Sequence, residues 1–372
     1  MDRESTIRVG IAERHGMFDE VAHDPPAGIE FCFPDACPPS FRLIRSSVMG
    51  YMRGFDDDSC DVFEAVFSPI VTRKPWILST DSFHAAITFT LMGAPLPRSL
   101  RLRYVESILK KDNFKRLTLW SEAAFRELEG ILGDSYPSIM EKATVVYPAI
   151  RSVPNVERQD ADGDRVNLLF SGDFFRKGGA NVVDAFERLQ SKYSGVRLRV
   201  CCDERIDFDT ADQQLRDNYL TRIRSNEGIE FGRVPRDEML GRILHETDIY
   251  LLPTYAESFG FALLEAMAYG LPVIATNEFA IPEIVDHGKT GFLIDISEFN
   301  VLSFVRGYQV QTIPEDFHQY VSGQLFDYLV QLIESPELRR DMGERGKSVA
   351  LSKFAIETRN QQMLDIYRSC IG

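Results

Sequence analysis

The 372-residue chain predicts an α/β protein built from two doubly wound units. Three observations carry that expectation. The length suits two units of typical size better than one core. Short apolar runs of strand length recur from end to end, alternating with segments of helical period. Between Arg151 and Asp164 the chain loses all periodicity and becomes rich in Pro, Asn, Asp and Gly, the residues of turns and linkers.

In the first half the runs expected as strands are Ile7 to Ala12, Ile29 to Phe33, Val62 to Phe67, Trp76 to Leu78, Leu117 to Trp120 and Thr144 to Tyr147. Ala123 to Leu132 has helical spacing, and Ser121 stands where a helix cap belongs. Few hairpin signals occur, so the strands are expected to be parallel and covered on both faces. The second half repeats the pattern. Strands are expected at Val166 to Phe170, Val196 to Cys201, Ile229 to Phe231, Ile249 to Leu252 and Pro272 to Ala275, with an edge strand at Gly291 to Ile294. Helices are expected at Ala180 to Leu189, at Glu238 to His245 and from about Phe259 to Tyr269. A helical tail from Pro336 to Tyr367 breaks near Leu351 to Phe354. The domains are therefore placed at residues 1–155 and 156–350, with residues 351–372 as a terminal helix. Open sheets of this kind bind ligands at the carboxyl ends of their strands.

Composition narrows the function. A net charge of −14 disfavours a general nucleic-acid binder, which needs basic surface to neutralise phosphates. One segment runs against that balance: residues 98–116 hold seven basic side chains and two acidic ones. It reads either as a solvated helix face or as a patch for anionic lipid or an anionic acceptor, hence a candidate peripheral membrane contact. The six cysteines are scattered and do not form a disulfide framework. Met1 is followed by Asp-Arg-Glu-Ser, without a basic and then apolar leader, and no apolar run has the length of a membrane span. The expectation is a cytoplasmic protein, with the inner membrane face as a candidate location.

The chemistry concentrates between Tyr250 and Ile274. A strand ends at Leu252, the chain turns through Pro253, and a helix follows. Free N–H groups in the first turn of such a helix, with the helix dipole, make an anion site that suits a pyrophosphate. Gly260 allows close approach of a ligand to the backbone. Glu257 precedes the helix and Glu265 lies on it. At about 1.5 Å of rise per residue their backbones stand on the order of 12 Å apart. That spacing suits a grip on two parts of one long ligand. It does not suit paired-carboxylate hydrolysis, whose carboxyls stand about 5–9.5 Å apart. Two carboxylates near a pyrophosphate call for cations, and Phe170-Ser-Gly-Asp-Phe-Phe-Arg-Lys-Gly-Gly179 supplies them: Gly172 follows a strand, and Arg176 and Lys177 can reach phosphate oxygens.

These residues resemble the retaining glycosyltransferase family 4. The resemblance covers the second half through the Lys177-Gly178 turn, Phe231-Gly-Arg-Val234, the Glu257-x7-Glu265 segment, Gly270-Leu-Pro-Val-Ile274, Ile281-Pro-Glu-Ile-Val285 and Gly288-Lys-Thr-Gly-Phe292. It implies the GT-B fold, two Rossmann-like domains facing a cleft, with the last helix crossing back to the first domain. It implies that Glu265 holds the ribose and that Arg176 and Lys177 hold the diphosphate. Ser258, Phe259, Gly260 and Phe261 would line the distal phosphate and sugar, Glu257 would contact the sugar, and Arg233 and Val234 would flank the base. The co-substrate would be a UDP- or GDP-linked hexose or N-acetylhexosamine, transferred with retention to an acceptor hydroxyl, without a metal or other cofactor. A catalytically silent subunit of the same fold, binding an acceptor protein or an active transferase, is the alternative.

The first half departs from the family pattern. In place of a Gly-rich loop after the first strand it has Arg14-His-Gly16, which leaves His15 and Gly16 as candidate cleft residues. Where a histidine facing the sugar is expected it reads Leu78-Ser-Thr-Asp-Ser-Phe-His84, so either Asp81 or His84 is the candidate catalytic partner. Asp56-Asp-Asp58 and Asp160-Ala-Asp-Gly-Asp164 lack the further ligands of a metal loop, and Cys201-Cys202 lacks a matching pair.

Overall fold

A computed structural model describes residues 6–12, 24–35, 44–46, 50–51, 54–91, 94–150, 165–306 and 309–371. The chain divides into two compact units, Met1–Arg151 together with Phe354–Gly372, and Ser152–Lys353.

The first unit contains strands β1 (Ile7–Ile11), β2 (Ile29–Cys32), β3 (Ile44–Ser46), β4 (Gly50–Tyr51), β5 (Val62–Val66), β6 (Trp76–Thr80), β7 (Phe89–Leu91), β8 (Ala94–Pro95), β9 (Phe114–Leu119) and β10 (Ala143–Val145). Six form one sheet in the order β10-β9-β6-β5-β1-β2, and every pairing in it is parallel. Strands β5 and β6 are buried along their whole length, which is why their sequences do not alternate and why the polar Glu64, Ser79 and Thr80 within them are buried too. The remaining four make a small antiparallel sheet, β4-β3-β7-β8, that the sequence did not announce. Its strands are two or three residues long, too short for a period of two to register.

The tail helix Ile356–Ile371 belongs to this unit. A buried polar chain holds it there. The Tyr367 hydroxyl donates to Glu64 on β5, Ser79 Oγ donates to the same carboxyl at 2.5 Å, and Ser79 and Thr118 hydroxyls meet at 2.6 Å. Arg359 lies buried nearby and attracts the carboxylate. Burial still dominates and pushes the Glu64 pKa above the ordinary glutamate value, although Arg359, Ser79 and Tyr367 pull the other way.

The second unit contains β11 (Val166–Ser171), β12 (Val196–Cys201), β13 (Ile229–Phe231), β14 (Ile249–Leu252), β15 (Val273–Thr276) and β16 (Gly291–Ile294). They form one parallel sheet in the order β13-β12-β11-β14-β15-β16. Strand order therefore reverses direction between β11 and β14, the kind of point at which open α/β sheets bind ligands. The helix Gly179–Gln190 after β11 buries Val182, Val183, Phe186 and Leu189 in the same core as Val321, Leu325 and Leu329 of the long helix Glu315–Glu334. Helix Pro336–Lys353 comes so close to the loop after the Glu265 helix that a Cβ on Gly343 would lie 2.0 Å from the Gly270 carbonyl oxygen. Only glycine fits there.

Together the two parallel six-stranded sheets with their helices make the two-unit Rossmann-like α/β fold that the sequence predicts. A two-stranded ribbon, β17 (Val305–Arg306) with β18 (Gln309–Val310), was not anticipated.

Candidate functional site

At the reversal point of the second sheet, two loops 80 residues apart in sequence are locked together. The first is the turn from Gly172 to Gly178 after β11. The second runs from Pro253 to Gly260 after β14. The Arg176 carbonyl accepts from the Tyr255 N–H at 2.9 Å and from Thr254 Oγ1 at 3.3 Å. In return Arg176 Nη1 donates to the Ala256 carbonyl at 3.1 Å. Gly178 has φ +81° and packs so tightly that a Cβ would sit 2.1 Å from the Pro253 carbonyl oxygen. Conformation and contact both demand glycine here.

This locking brings the Lys177 ammonium onto the Glu257 carboxylate, a direct ion pair with both side chains largely shielded from water. Burial alone would raise the Glu257 pKa. Attraction and hydrogen bonding from Lys177, attraction from Arg176 and the Ser258 N–H bond outweigh it and hold the carboxyl below its ordinary value. Arg176 is held from behind by Asp173, whose carboxylate accepts from Arg176 Nε at 3.1 Å and from the Arg176 N–H at 3.0 Å. Burial raises the Asp173 pKa despite that pairing. The result is a charged, water-poor loop edge with two carboxylates, Glu257 and Asp173, and two cations in fixed positions.

Gly260, with φ +109°, caps the helix Phe261–Ala268. The helix thus starts two residues later than the sequence suggested. The helical rise spans only the later part of the Glu257 to Glu265 interval, so the 12 Å estimate does not carry over. What separates the two carboxylates is instead their partners. Glu265 pairs with Arg236 at 2.6 Å, whereas Glu257 pairs with Lys177. Arg233 and Val234 follow β13 at the same end of the sheet, Arg233 exposed and 3.7 Å from Asp203. Ser258 is half-buried, and the rings of Phe259 and Phe261 contact each other at 5.1 Å between centroids. Gly172, at φ +100°, accepts at its carbonyl from Cys202 Sγ at 2.9 Å.

In the first unit Asp81 and His84 follow β6. Ser82 caps the short helix Phe83–Ile87 and donates to Glu127 at 2.7 Å, while His84 Nε2 stands 3.9 Å from the same carboxylate with its ring half-exposed. Asp81 is half-buried. His15 and Gly16 lie outside the described residues. Residues 98–109 form a helix whose exposed positions include Arg98, Leu100 and Arg103.

Sequence reading missed Arg236 as the partner of Glu265, Asp173 as the brace behind Arg176, and Glu278 on the loop after β15. The first two are ordinary charged residues, Asp173 in a turn and Arg236 at the start of a short helix, with no period or motif to mark them. Their roles arise from contacts made across the sheet edge.

Residues 155–307 match the family described as Glycosyl transferases group 1. That match lies within the second unit, which is similar there to group 1 glycosyl transferases. Among curated relatives of this domain, the N-acetyl-alpha-D-glucosaminyl L-malate synthase of Bacillus anthracis is 31% identical over 132 residues, 36% of this chain and 29% of that enzyme. The 2-deoxystreptamine N-acetyl-D-glucosaminyltransferase of Niallia circulans is 25% identical over 243 residues, 62% of this chain and 59% of that enzyme. The chain thus spans less than two thirds of either relative's length. In fold, the whole chain is similar to Anabaena Alr3699/HepE, crystallised with UDP and glucose, with a TM-score of 0.60 at 15% identity over 98% of this chain and 100% of that one. The resemblance drawn from the sequence motifs holds at the level of the glycosyl transferase family and of the fold.

Proposed function

We propose that this glycosyl transferase moves a hexose or N-acetylhexosamine from a nucleoside diphosphate sugar, UDP- or GDP-linked, to an acceptor hydroxyl with retention at the anomeric carbon. The observation that carries the reading is the Lys177 to Glu257 pair at the reversal point of the second sheet, beside the start of the Phe261–Ala268 helix. A diphosphate seated there meets Arg176, Lys177 and free backbone N–H groups. Those groups neutralise charge that would otherwise need a divalent ion, so the reaction runs without metal. When the donor enters, Lys177 turns from Glu257 to phosphate, and Glu257 is freed to face the sugar. A carboxylate held ionised at that point stabilises the positive charge that develops on the anomeric carbon. The leaving phosphate deprotonates the acceptor on the same face, so no protein nucleophile forms a covalent intermediate. Glu265, with Arg236, binds the ribose. Arg233 and Val234 flank the base, and Gly172 with Ser258 to Phe261 line the phosphate and sugar. From the first unit, Asp81 or His84 supplies the catalytic partner and residues 98–116 a surface for an anionic or membrane-borne acceptor.

The test is a thermal-shift panel of nucleoside diphosphates and their sugars in the presence of a chelator. Stabilisation by one base and one sugar above the others is expected. If none of them raises the melting temperature, the donor site is misassigned.

A further inference from the structure

Strands β14 and β15 are neighbours, paired Leu252 with Ala275, so the loops that follow them leave the sheet side by side. The two loops are tied at both ends. Near the sheet, Thr276 Oγ1 donates to the Thr254 carbonyl at 2.6 Å. At the far end Gly260 lies against the turn Ile281–Ile284, where a Cβ on it would stand 3.4 Å from Ile284 Cδ1 and 3.7 Å from Ile281 Cγ1. Between the ties, one loop carries Glu257 and the other carries Glu278.

Glu278 is half-buried and close enough to Glu257 for the two carboxyls to repel. Among the described residues no hydrogen bond or ion pair reaches its carboxyl group. The next residue, Phe279, is held at φ +44°, a left-handed conformation that is strained for a non-glycine residue. The loop is thus held in one shape, at some expense, with a carboxyl group left unpaired beside Glu257.

We propose that Glu278 is a third side-chain ligand of the sugar donor, hydrogen-bonding a hydroxyl of the transferred sugar beside Glu257. The proposal rests on the donor-site reading above and assigns to that site a residue outside the Glu-x7-Glu motif. Burial, followed by repulsion from Glu257, pushes the Glu278 pKa up to about 7. Near neutrality the group is therefore protonated much of the time and can donate to a hydroxyl oxygen. Other charged groups on the elements around it are Arg176 and Lys177 on the turn after β11, Glu283 on its own following turn, Asp295 bonded to Asn277, and Lys353, which donates to the Glu283 carbonyl. A donor brings a pyrophosphate with two negative charges to this edge. That addition raises the Glu278 pKa further, so binding above pH 7 takes up a proton.

The experiment is titration calorimetry at pH 7.5 in two buffers of different protonation enthalpy, with UDP-glucose, UDP-N-acetylglucosamine and GDP-mannose. The phosphates of these donors do not titrate near neutrality, so proton uptake reports the protein. Wild type should take up a fraction of a proton on binding its donor, and the near-isosteric Glu278→Gln should take up none. Glu278→Leu should weaken the nucleotide sugar about 10-fold, the loss of roughly one hydrogen bond, and leave the free nucleoside diphosphate unaffected. Equal proton uptake in wild type and Glu278→Gln overturns the proposal. So does an equal loss of affinity for the nucleotide sugar and the diphosphate in Glu278→Leu. Failure of wild type to bind any nucleotide removes the donor site itself, and the proposal with it.

Discussion

Each unit holds a glutamate against the centre of its own sheet or sheet edge, and the two are perturbed in opposite directions. Glu64 in the first unit is fully buried and surrounded by hydroxyls, with Arg359 as its only cation among the described groups that act on it. Desolvation wins, and the carboxyl favours its neutral form. Glu257 in the second unit is nearly as shielded, but it touches Lys177 and feels Arg176. There the cations win, and the carboxyl stays ionised. The contrast teaches that burial alone does not decide charge: a contacting ammonium does. It also separates two jobs. Glu64 spends its polarity inside the protein, holding the tail helix through Tyr367. Glu257 keeps a charge at a loop edge, paired with Lys177.

The largest expected effect that tests this contrast is on catalysis. Glu257→Gln removes the charge and keeps the shape, and should slow donor hydrolysis, followed by nucleotide release, about 100-fold, or roughly 2.7 kcal/mol in the barrier. Glu265→Ala should instead weaken nucleotide binding about 10-fold with little change in the rate at saturation. Unaltered kinetics in both variants would show that neither carboxylate touches the donor.

Next in size, Tyr367→Phe leaves a buried carboxyl short of one donor and should destabilise the protein by about 1–3 kcal/mol in urea unfolding, without changing nucleotide affinity. A loss of affinity with no loss of stability would mean that the Glu64 chain serves the site instead of the tail helix.

The smallest effect is in the pH dependence of stability, and its sign differs between the two glutamates. The lowered pKa of Glu257 contributes stability that is present above its unfolded value, about 4.3, and is lost as pH falls through the folded value. The raised pKa of Glu64 does the reverse. Above about pH 4.3 the unfolded chain has released the proton that the folded protein keeps, so stability falls as pH rises toward the folded value. Subtracting the unfolding free energies of Glu64→Gln from those of wild type between pH 4 and 8 should therefore give a difference that declines with pH. Glu257→Gln should give one that climbs, over a lower range. Two curves of the same slope would refute the opposed shifts.

Much of the fold was legible in the chain itself. All twelve strands of the two parallel sheets begin and end within three residues of the expected runs, because their buried positions are mostly apolar even where a polar residue such as Glu64 or Arg199 intervenes. The 20-residue helix Glu315–Glu334 was not read, since its buried face is interrupted by Ser322 and His318 and is completed by Asn181 on a helix far away in sequence. The motif residues Arg176, Lys177, Gly260, Glu257 and Glu265 were legible as types in order, because glycine, cation and carboxylate at strand ends carry their chemistry locally.

Which of those residues meet is a different matter. The pairing of Lys177 with Glu257 and of the Glu278 loop with the Glu257 loop depends on three strands lying side by side in the order β11-β14-β15, and that of Glu265 with Arg236 on β13 lying beyond β12 in the same sheet. Their lengths and apolar character follow from the sequence, but their neighbours do not. A strand's hydrophobic record says that it is covered, not by what. Only the folded sheet, by setting loops 80 residues apart against each other, decided which charges neutralise one another and which carboxyl is left without a partner.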